Sequence, residues 1–256
     1  MPATSTLKVT IDGREQAVPA GTTIWSAARA TGIDIPALCH DPKLSPVGVC
    51  RMCVVDVGER VLAPSCMRTC QDGMTVETAS PKVVQHRKTL TELLLSEYPD
   101  KSNRNHSTRG CELESLGRRF GLIADGETSK DPSEAAKVSA SRTPHSVPGT
   151  AYSVSLTRSS ALPSPETHHS SPSTHHSSLT SHDASSPVIA VDHDACILCD
   201  RCIRACDDLQ NNHVIGRTGK GHNSRIAFDL NNPMGDSTCV ACGECAAACP
   251  TDALTH

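Results

Sequence analysis

The stretch Cys196-Ile-Leu-Cys199-Asp-Arg-Cys202-Ile-Arg-Ala-Cys206 is answered further along by Cys239-Val-Ala-Cys242-Gly-Glu-Cys245-Ala-Ala-Ala-Cys249-Pro250. Each half reads C-x2-C-x2-C-x3-C, the ligand run of a protein that holds two 4Fe–4S cubanes. In that pattern three cysteines bind one cluster and the fourth crosses to the other. Cys196, Cys199, Cys202 and Cys249 are therefore assigned to one cubane, and Cys239, Cys242, Cys245 and Cys206 to the second. Three thiolates at this spacing let one tight backbone turn wrap a cube corner with its amides toward the sulfurs. A short helix then carries the fourth cysteine away to the other site. Zinc usually wants two C-x2-C pairs closing one tetrahedron, and a disulfide framework needs an oxidising compartment. Both fit the pattern less well.

The 256-residue chain has room for one or two domains. With 2% aromatics, including one Trp, two Tyr and two Phe, it has little material for conventional cores. Fourteen cysteines instead suggest that metal binding supplies much of the folding free energy; a structural metal site contributes ~10 kcal/mol or more in small domains. A net charge of −4 without a Lys/Arg stripe does not point to nucleic acid. The N-terminus Met-Pro-Ala-Thr-Ser-Thr-Leu-Lys lacks an apolar signal region. No apolar run approaches the ~18 residues of a membrane span. A cytoplasmic protein with reduced thiols and no membrane span is expected.

Residues 1–80 open on an alternating stretch, Leu7-Lys-Val-Thr-Ile11, then the turn Asp12-Gly13, then Gln16-Ala-Val18, which is a hairpin signature. Thr22–Thr31 reads as a helix that starts on a Thr cap, ends before Gly32, and turns Ile24, Ala27, Ala28 and Thr31 inward. Cys39, Cys50, Cys53 and Cys66 follow, spaced C-x10-C-x2-C-x12-C, with a strand pair expected at Val54–Val57 and Arg60–Leu62. Four thiolates so arranged suit a 2Fe–2S centre, with zinc as the alternative. The spacing is close to the plant-type run C-x4-C-x2-C but has a longer first gap. Cys70 is unmatched and reads as a free thiol near this site.

The segments Cys39-His40-Asp-Pro-Lys-Leu, Gly48-Val-Cys50-Arg-Met-Cys53-Val-Val-Asp and Leu62-Ala-Pro-Ser-Cys66 resemble the N-terminus of NAD-linked formate dehydrogenase alpha subunits. The same module occurs in the large iron–sulfur subunit of respiratory complex I and in the diaphorase small subunit of NAD-reducing hydrogenases. The resemblance covers about residues 5–125 and 187–256. It implies an α+β chain: a β-grasp 2Fe–2S ferredoxin-like domain (1–80), a short helical middle (81–124), a linker (125–187) and a bacterial-type two-cubane ferredoxin domain (188–256).

In the helical middle, Lys82–Tyr98 is expected to bury Val83, Val84, Leu90, Leu93, Leu94 and Leu95. Glu112–Ile123 carries Leu113, Leu116, Phe120 and Ile123. In the families named, the loop between these helices binds a further cubane through H-x3-C-x2-C-x5-C. Counting back from Cys111 puts Asn105, Ser102 and Tyr98 at the other three ligand positions. Neutral Ser and Asn are poor iron ligands, so this cluster is expected to be missing, with Cys111 a relic or a small core residue. His106 stands at the wrong spacing and reads as a surface residue.

Of the 63 residues in 125–187, 25 are Ser or Thr and seven are Pro. Such a stretch cannot offset its ordering entropy by burial and is expected to be disordered. His168, His169, His175, His176 and His182 read as solvated. Electron transfer needs short fixed distances, so the flanking modules are expected to dock directly. In residues 188–256 a strand is expected at Val188–Asp192 and a hairpin across Val214–Phe228. Cys206 is followed by Asp207 where a simple ferredoxin has Pro, a departure expected to alter exposure or hydrogen bonding of one cluster.

The chain shows no nucleophile–base pair, no pterin-binding segment and no Rossmann fingerprint. The reading is therefore an electron-transfer subunit or fragment of an NAD-linked oxidoreductase, with no complete active site of its own. The resemblance implies flavin/NAD-binding diaphorase subunits and a molybdenum- or tungsten-pterin catalytic subunit or domain as partners. The alternatives are a hydrogenase diaphorase small subunit, disfavoured by Tyr98, Ser102 and Asn105, and a non-enzymatic iron–sulfur redox sensor.

Overall fold

The computed structural model describes residues 5–99, 111–124 and 181–256, all within one compact unit of the chain. The expectations for His106, Ser102, Asn105 and the four histidines before His182 lie outside the described residues.

Strands β1 (Thr6–Ile11) and β2 (Arg14–Pro19) form an antiparallel hairpin. Asp12 and Gly13 both take positive φ (47° and 78°), the turn geometry whose twist matches the flanking strands. The Asp12 carboxylate also accepts hydrogen bonds from the Thr78 amide (2.7 Å) and hydroxyl (2.6 Å). That pins the end of β5 (Met74–Val76), which lies parallel to β1. Helix α1 (Ile24–Ala30) starts on Thr23, whose Oγ1 accepts from the Ser26 amide. Its buried Ile24, Ala27 and Ala28 pack with Val9, Ile11, Val18, Ile35 and Val76. Thr31 does not join them. It is exposed and closes the helix by donating its hydroxyl to the Ala28 carbonyl.

The strand pair that follows is shorter than expected: β3 (Val54–Val55) against β4 (Ala63–Pro64). It stops because Asp56 exchanges both backbone hydrogen bonds with Glu77 instead.

Helix α2 (Pro81–Glu97) buries Val83, Arg87 and Thr91, positions four apart. The expected leucine-rich face is thus only partly right: Val84 and Leu93 are exposed, while Leu90, Leu94 and Leu95 line the edge of a cluster around Leu38, Met52, Leu113 and Leu116. Arg87 earns its interior place through its donors. Nε bonds the Met52 carbonyl at 3.1 Å and Nη2 the Val54 carbonyl at 2.8 Å. These two carbonyls flank Cys53, so a buried cation braces the ligand loop from behind.

Helix α3 (Glu112–Arg119) begins at Cys111, whose sulfur accepts from the Glu114 amide. Tyr98, which ends α2, puts its hydroxyl 3.0 Å from the Cys111 sulfur and 2.7 Å from the Thr251 carbonyl, to which it donates. The Cys111 thiol also reaches the Pro250 carbonyl at 3.6 Å. The two outer positions of the four-ligand pattern are therefore side by side, as a phenol and a thiol tied to the segment after Cys249.

In the C-terminal module, β7 (Ala190–Asp192) pairs with β10 (Leu254–Thr255) on one side and with β6 (His182–Asp183) on the other. β6 lies within the stretch that composition assigns to the linker. It is ordered because the Asp183 carboxylate accepts from the Met234 amide at 2.7 Å and the Ser185 amide at 2.9 Å. β8 (Ile215–Thr218) and β9 (Arg225–Phe228) form the expected hairpin. Helices α4 (Arg201–Arg204) and α5 (Glu244–Ala248) occupy equivalent places in the two cysteine runs.

The runs end differently. After α5 the chain leaves the helix at Cys249-Pro250, whereas α4 continues through a π-turn over Ala205–Leu209. Asp207, where a proline would have ended the helix, allows the extension. The extension delivers Asp208, whose carboxylate accepts from the Ser45 amide at 3.1 Å.

The two modules dock directly. Arg201 is buried and its Nη1 binds both Glu112 carboxylate oxygens (2.9 and 2.8 Å), while Nη2 reaches Asp41 at 3.3 Å. Leu44 packs against Ala205 and Ala248, Ile197 joins the cluster around Leu38 and Leu113, and the Leu113 amide donates to the Pro250 carbonyl.

Replacing Arg87 by Met leaves two buried carbonyls without a donor and is expected to cost about 3 kcal/mol, since bonds from a charged donor contribute about 1.5–3 kcal/mol each. Thermal unfolding of the loaded chain checks it, and an unchanged midpoint counts against the bracing role. Tyr98→Phe removes only the hydroxyl and is expected to cost about 1–2 kcal/mol, seen in denaturant unfolding as a lower midpoint.

Candidate iron–sulfur centres

The first group of cysteines lies where the ligand loop crosses the end of α1 and the β3–β4 pair. Cys39, Cys53 and Cys66 are fully buried and Cys50 half-buried. The loop folds back on itself by left-handed turns at Gly48 (φ 66°) and Arg51 (φ 56°). At Gly48 a side chain would run into Met67, whose Cγ lies 2.9 Å from the place of a Cβ. The Cys39 amide donates to the Cys50 sulfur at 3.3 Å.

The four thiols share hydrogen bonds among themselves. Bonds from Cys50 and then Cys66 hold the Cys39 thiol far below its ordinary range. A bond from Cys66 brings Cys53 down to about 7. Cys50 and Cys66, the donors, are pushed up. Four thiols that shift one another's ionisation in this way fit a soft metal centre, which binds thiolates once their protons are lost. Cys70 sits in the same core, where burial raises its pKa.

The two later runs are built alike. Leu198 and Asp200 in the first, Ala241 and Gly243 in the second, all take positive φ (54°, 61°, 54° and 80°). These are the same two positions of C-x2-C-x2-C. Left-handed backbone is costly for leucine, and both runs adopt it at the same two places, so they share one turn. At Gly243 the positive φ of 80° would strain any side chain, and a Cβ would also meet the His256 ring at 2.6 Å. Amides point at sulfurs here too: Ala241 N lies 3.4 Å from Cys239 Sγ.

Burial, before any other cause, raises Cys196 to about 11, Cys199 to about 12 and Cys245 to about 12, and lifts Cys202 strongly. Backbone hydrogen bonds from Leu198, Arg201 and Ala246 partly offset this for Cys196, Cys199 and Cys245, and the neighbouring cysteine charges fall into two groups. Cys196, Cys199 and Cys202 feel the charge of Cys249. Cys245 feels Cys239, Cys242 and Cys206. Cys202 feels Cys245 as well, last among its neighbours, as two adjacent sets require. Each buried thiol must lose its proton to bind iron, and in an apolar pocket only the metal's charge makes that favourable. Cys199, Cys202, Cys206 and Cys245 are buried, and Cys242 is exposed.

Two functional residues escape a motif reading, although both stand inside the first run. Arg201 docks the modules as described. Arg204, three residues on and also buried, sends Nη2 to the carbonyls of Cys39 and, at 3.5 Å, Cys199. Its Nη1 bonds the Ser45 carbonyl and its Nε the Asp200 carbonyl at 3.2 Å. Two arginines in an otherwise apolar ligand helix were the available signal.

Residues 4–81 match the model of a 2Fe-2S iron-sulfur cluster binding domain, and residues 195–253 match that of a 4Fe-4S dicluster domain. Among curated relatives, the NADP-reducing hydrogenase subunit HndD of Solidesulfovibrio fructosivorans is 33% identical over 98% of this chain and 36% of its own length. The mitochondrial NADH-ubiquinone oxidoreductase 78 kDa subunit of Candida albicans is 27% identical over 97% of this chain and 28% of its own. This chain thus spans about a third of the length of those relatives. Among solved structures, a chain of the NAD+-reducing [NiFe]-hydrogenase in the H2-reduced state superposes with a TM-score of 0.65 at 26% identity, covering 98% of this chain and 87% of that one. No helix among the described residues is long and apolar enough to cross a membrane. The chain therefore carries a 2Fe–2S binding domain followed by a domain for two 4Fe–4S clusters, and its relatives are subunits of an NADP-reducing hydrogenase and of NADH-ubiquinone oxidoreductase.

Proposed function

We propose that this chain is a cytoplasmic electron-transfer subunit of an NAD(P)-linked oxidoreductase, working between a flavin/NAD-binding diaphorase partner and a second redox partner. Cys39, Cys50, Cys53 and Cys66 hold the 2Fe–2S cluster. Cys196, Cys199, Cys202 and Cys249 hold one cubane, and Cys239, Cys242, Cys245 and Cys206 the other. These clusters supply one-electron carriers; the chain makes and breaks no substrate bonds. The observation that carries the reading is that three groups of four thiols occur in two modules locked together by Arg201, Glu112 and Asp41. A fixed arrangement of carriers is what short-range electron transfer needs.

The helical middle holds no cluster in this reading. Tyr98 and Cys111 bond each other and the Thr251 and Pro250 carbonyls, so hydrogen bonds tie this place together instead of iron. The β-grasp reading of residues 1–80 draws support from the sheet order β2-β1-β5 with α1 packed on it.

On the identity of the second partner, the motifs around Cys39–Cys66 favour a molybdenum- or tungsten-pterin formate dehydrogenase. Likeness to the [NiFe]-hydrogenase chain favours the diaphorase small subunit as the second reading. A redox-sensor role has less support, because Cys111 is engaged by Tyr98 and Cys70 is buried. Co-purification separates the readings. A pterin-bearing subunit supports the first, a nickel–iron pair the second, and an absence of any redox partner the sensor.

Metal analysis of anaerobically purified protein is expected to give about ten irons and about ten acid-labile sulfides per chain, two plus four plus four of each; a count near fourteen irons would restore a cluster at Tyr98 and Cys111. Crossed ligation makes a second prediction. Cys249→Ser should perturb the paramagnetic signal of the centre built on Cys196–Cys202, and Cys206→Ser that of the centre built on Cys239–Cys245. The reverse pairing would refute the assignment.

A further inference from the structure

Arg201 and Arg204 lie one turn apart on the same short helix, both with under a tenth of their surface exposed, yet their partners differ in kind. Arg201 is matched by two carboxylates, Glu112 and Asp41. The hydrogen bonds of Arg204 go to four carbonyl oxygens, those of Asp200, Ser45, Cys39 and Cys199. The carboxylates in its neighbourhood are engaged elsewhere. Asp200 is held by Arg217 at 2.7 and 2.8 Å, Asp208 by the Ser45 amide, and Asp41 by Arg201. A buried cation satisfied only by neutral dipoles is costly to keep. Carbonyls satisfy its hydrogens but supply no net negative charge.

The position of the guanidinium shows where that charge comes from. One nitrogen, Nη2, touches the carbonyl of Cys39 and the carbonyl of Cys199. These cysteines belong to two different ligand groups, one in each module. The side chain thus spans the seam between the 2Fe–2S group and the first cubane group. Four thiolates around iron and sulfide carry net negative charge in both centres, and that charge grows on reduction.

We propose that Arg204 is the positioning residue of this pair of centres: it fixes the Cys39 and Cys199 backbones on one nitrogen and sets a single shared positive charge against both clusters. This inference rests on the ligand assignment made above. A cation close to two centres favours the reduced, more negative form of each. Arg204 therefore holds both reduction potentials up together.

Redox titration of the full, cluster-loaded chain, followed by paramagnetic resonance, tests this. In the wild type three distinguishable centres must first appear. Their absence refutes the ligand assignment itself, and with it this inference, before any variant is measured. Arg204→Gln keeps a donor and loses the charge, and Arg204→Lys keeps both but loses the fork. The expected result is that R204Q shifts the midpoints of the 2Fe–2S centre and of the first cubane to more negative values, whereas R204K leaves both near wild type. A shift in only one centre, in neither, or an equal shift in both variants overturns the proposal while leaving the three-cluster assignment intact. If R204Q does not load its iron, loading of R204K to the wild-type content with wild-type midpoints supports the role of the charge. Failure of both variants to load overturns it in favour of packing alone.

Discussion

Everything in this chain depends on keeping a large number of thiols close together and largely out of water. Left to themselves, such groups resist ionisation: burial, ahead of every other cause, takes Cys199 and Cys245 to about 12. The backbone nevertheless adopts left-handed turns at Leu198, Asp200 and Ala241 to aim them inward. Neither the strain nor the burial is favourable for a metal-free protein. Both become favourable when iron takes the protons' place, which is why a chain with two phenylalanines and one tryptophan can build two ordered modules.

The electrostatics of docking follows from the same constraint. The helix that carries Cys202, and through its π-turn Cys206, also carries Arg201 and Arg204, and both point into the seam between the modules. One seals the seam by charge pairing, the other by bonding the backbone of both ligand groups. Asp207 lengthens the helix enough for Asp208 to add a third tie. Tyr98 and Cys111 hold the segment after Cys249 against the helical middle. Each contact reaches a residue within a few positions of a proposed ligand, so the packing that joins the modules also sets the surroundings of the centres.

The motifs were legible in the sequence because cysteine spacing is a direct image of the local backbone path. The hairpin at Asp12-Gly13 and the cap at Thr23 were legible for the same reason: they are decided within a few residues. What resisted reading was decided across the chain. Arg87 is not among the apolar positions that mark a face of α2, yet two carbonyls of a loop some 35 positions away draw it inside. Thr31 fitted the inner face by periodicity and left it to end a helix. His182 sat in a Ser/Thr-rich stretch and became part of a strand through a single aspartate, Asp183. Tyr98 was placed correctly opposite Cys111 by counting, but only the fold shows that the two side chains hold each other.

Because side chains on α4 and backbone groups around Pro250 join the modules, the covalent path between Ala124 and Ser181 is not what holds them in place. Closure entropy grows slowly with loop length, by only ~0.6 kcal/mol for each doubling. Selection on this gene can therefore let that interval drift in length and composition while guarding a handful of arginine, aspartate and tyrosine codons on either side of it.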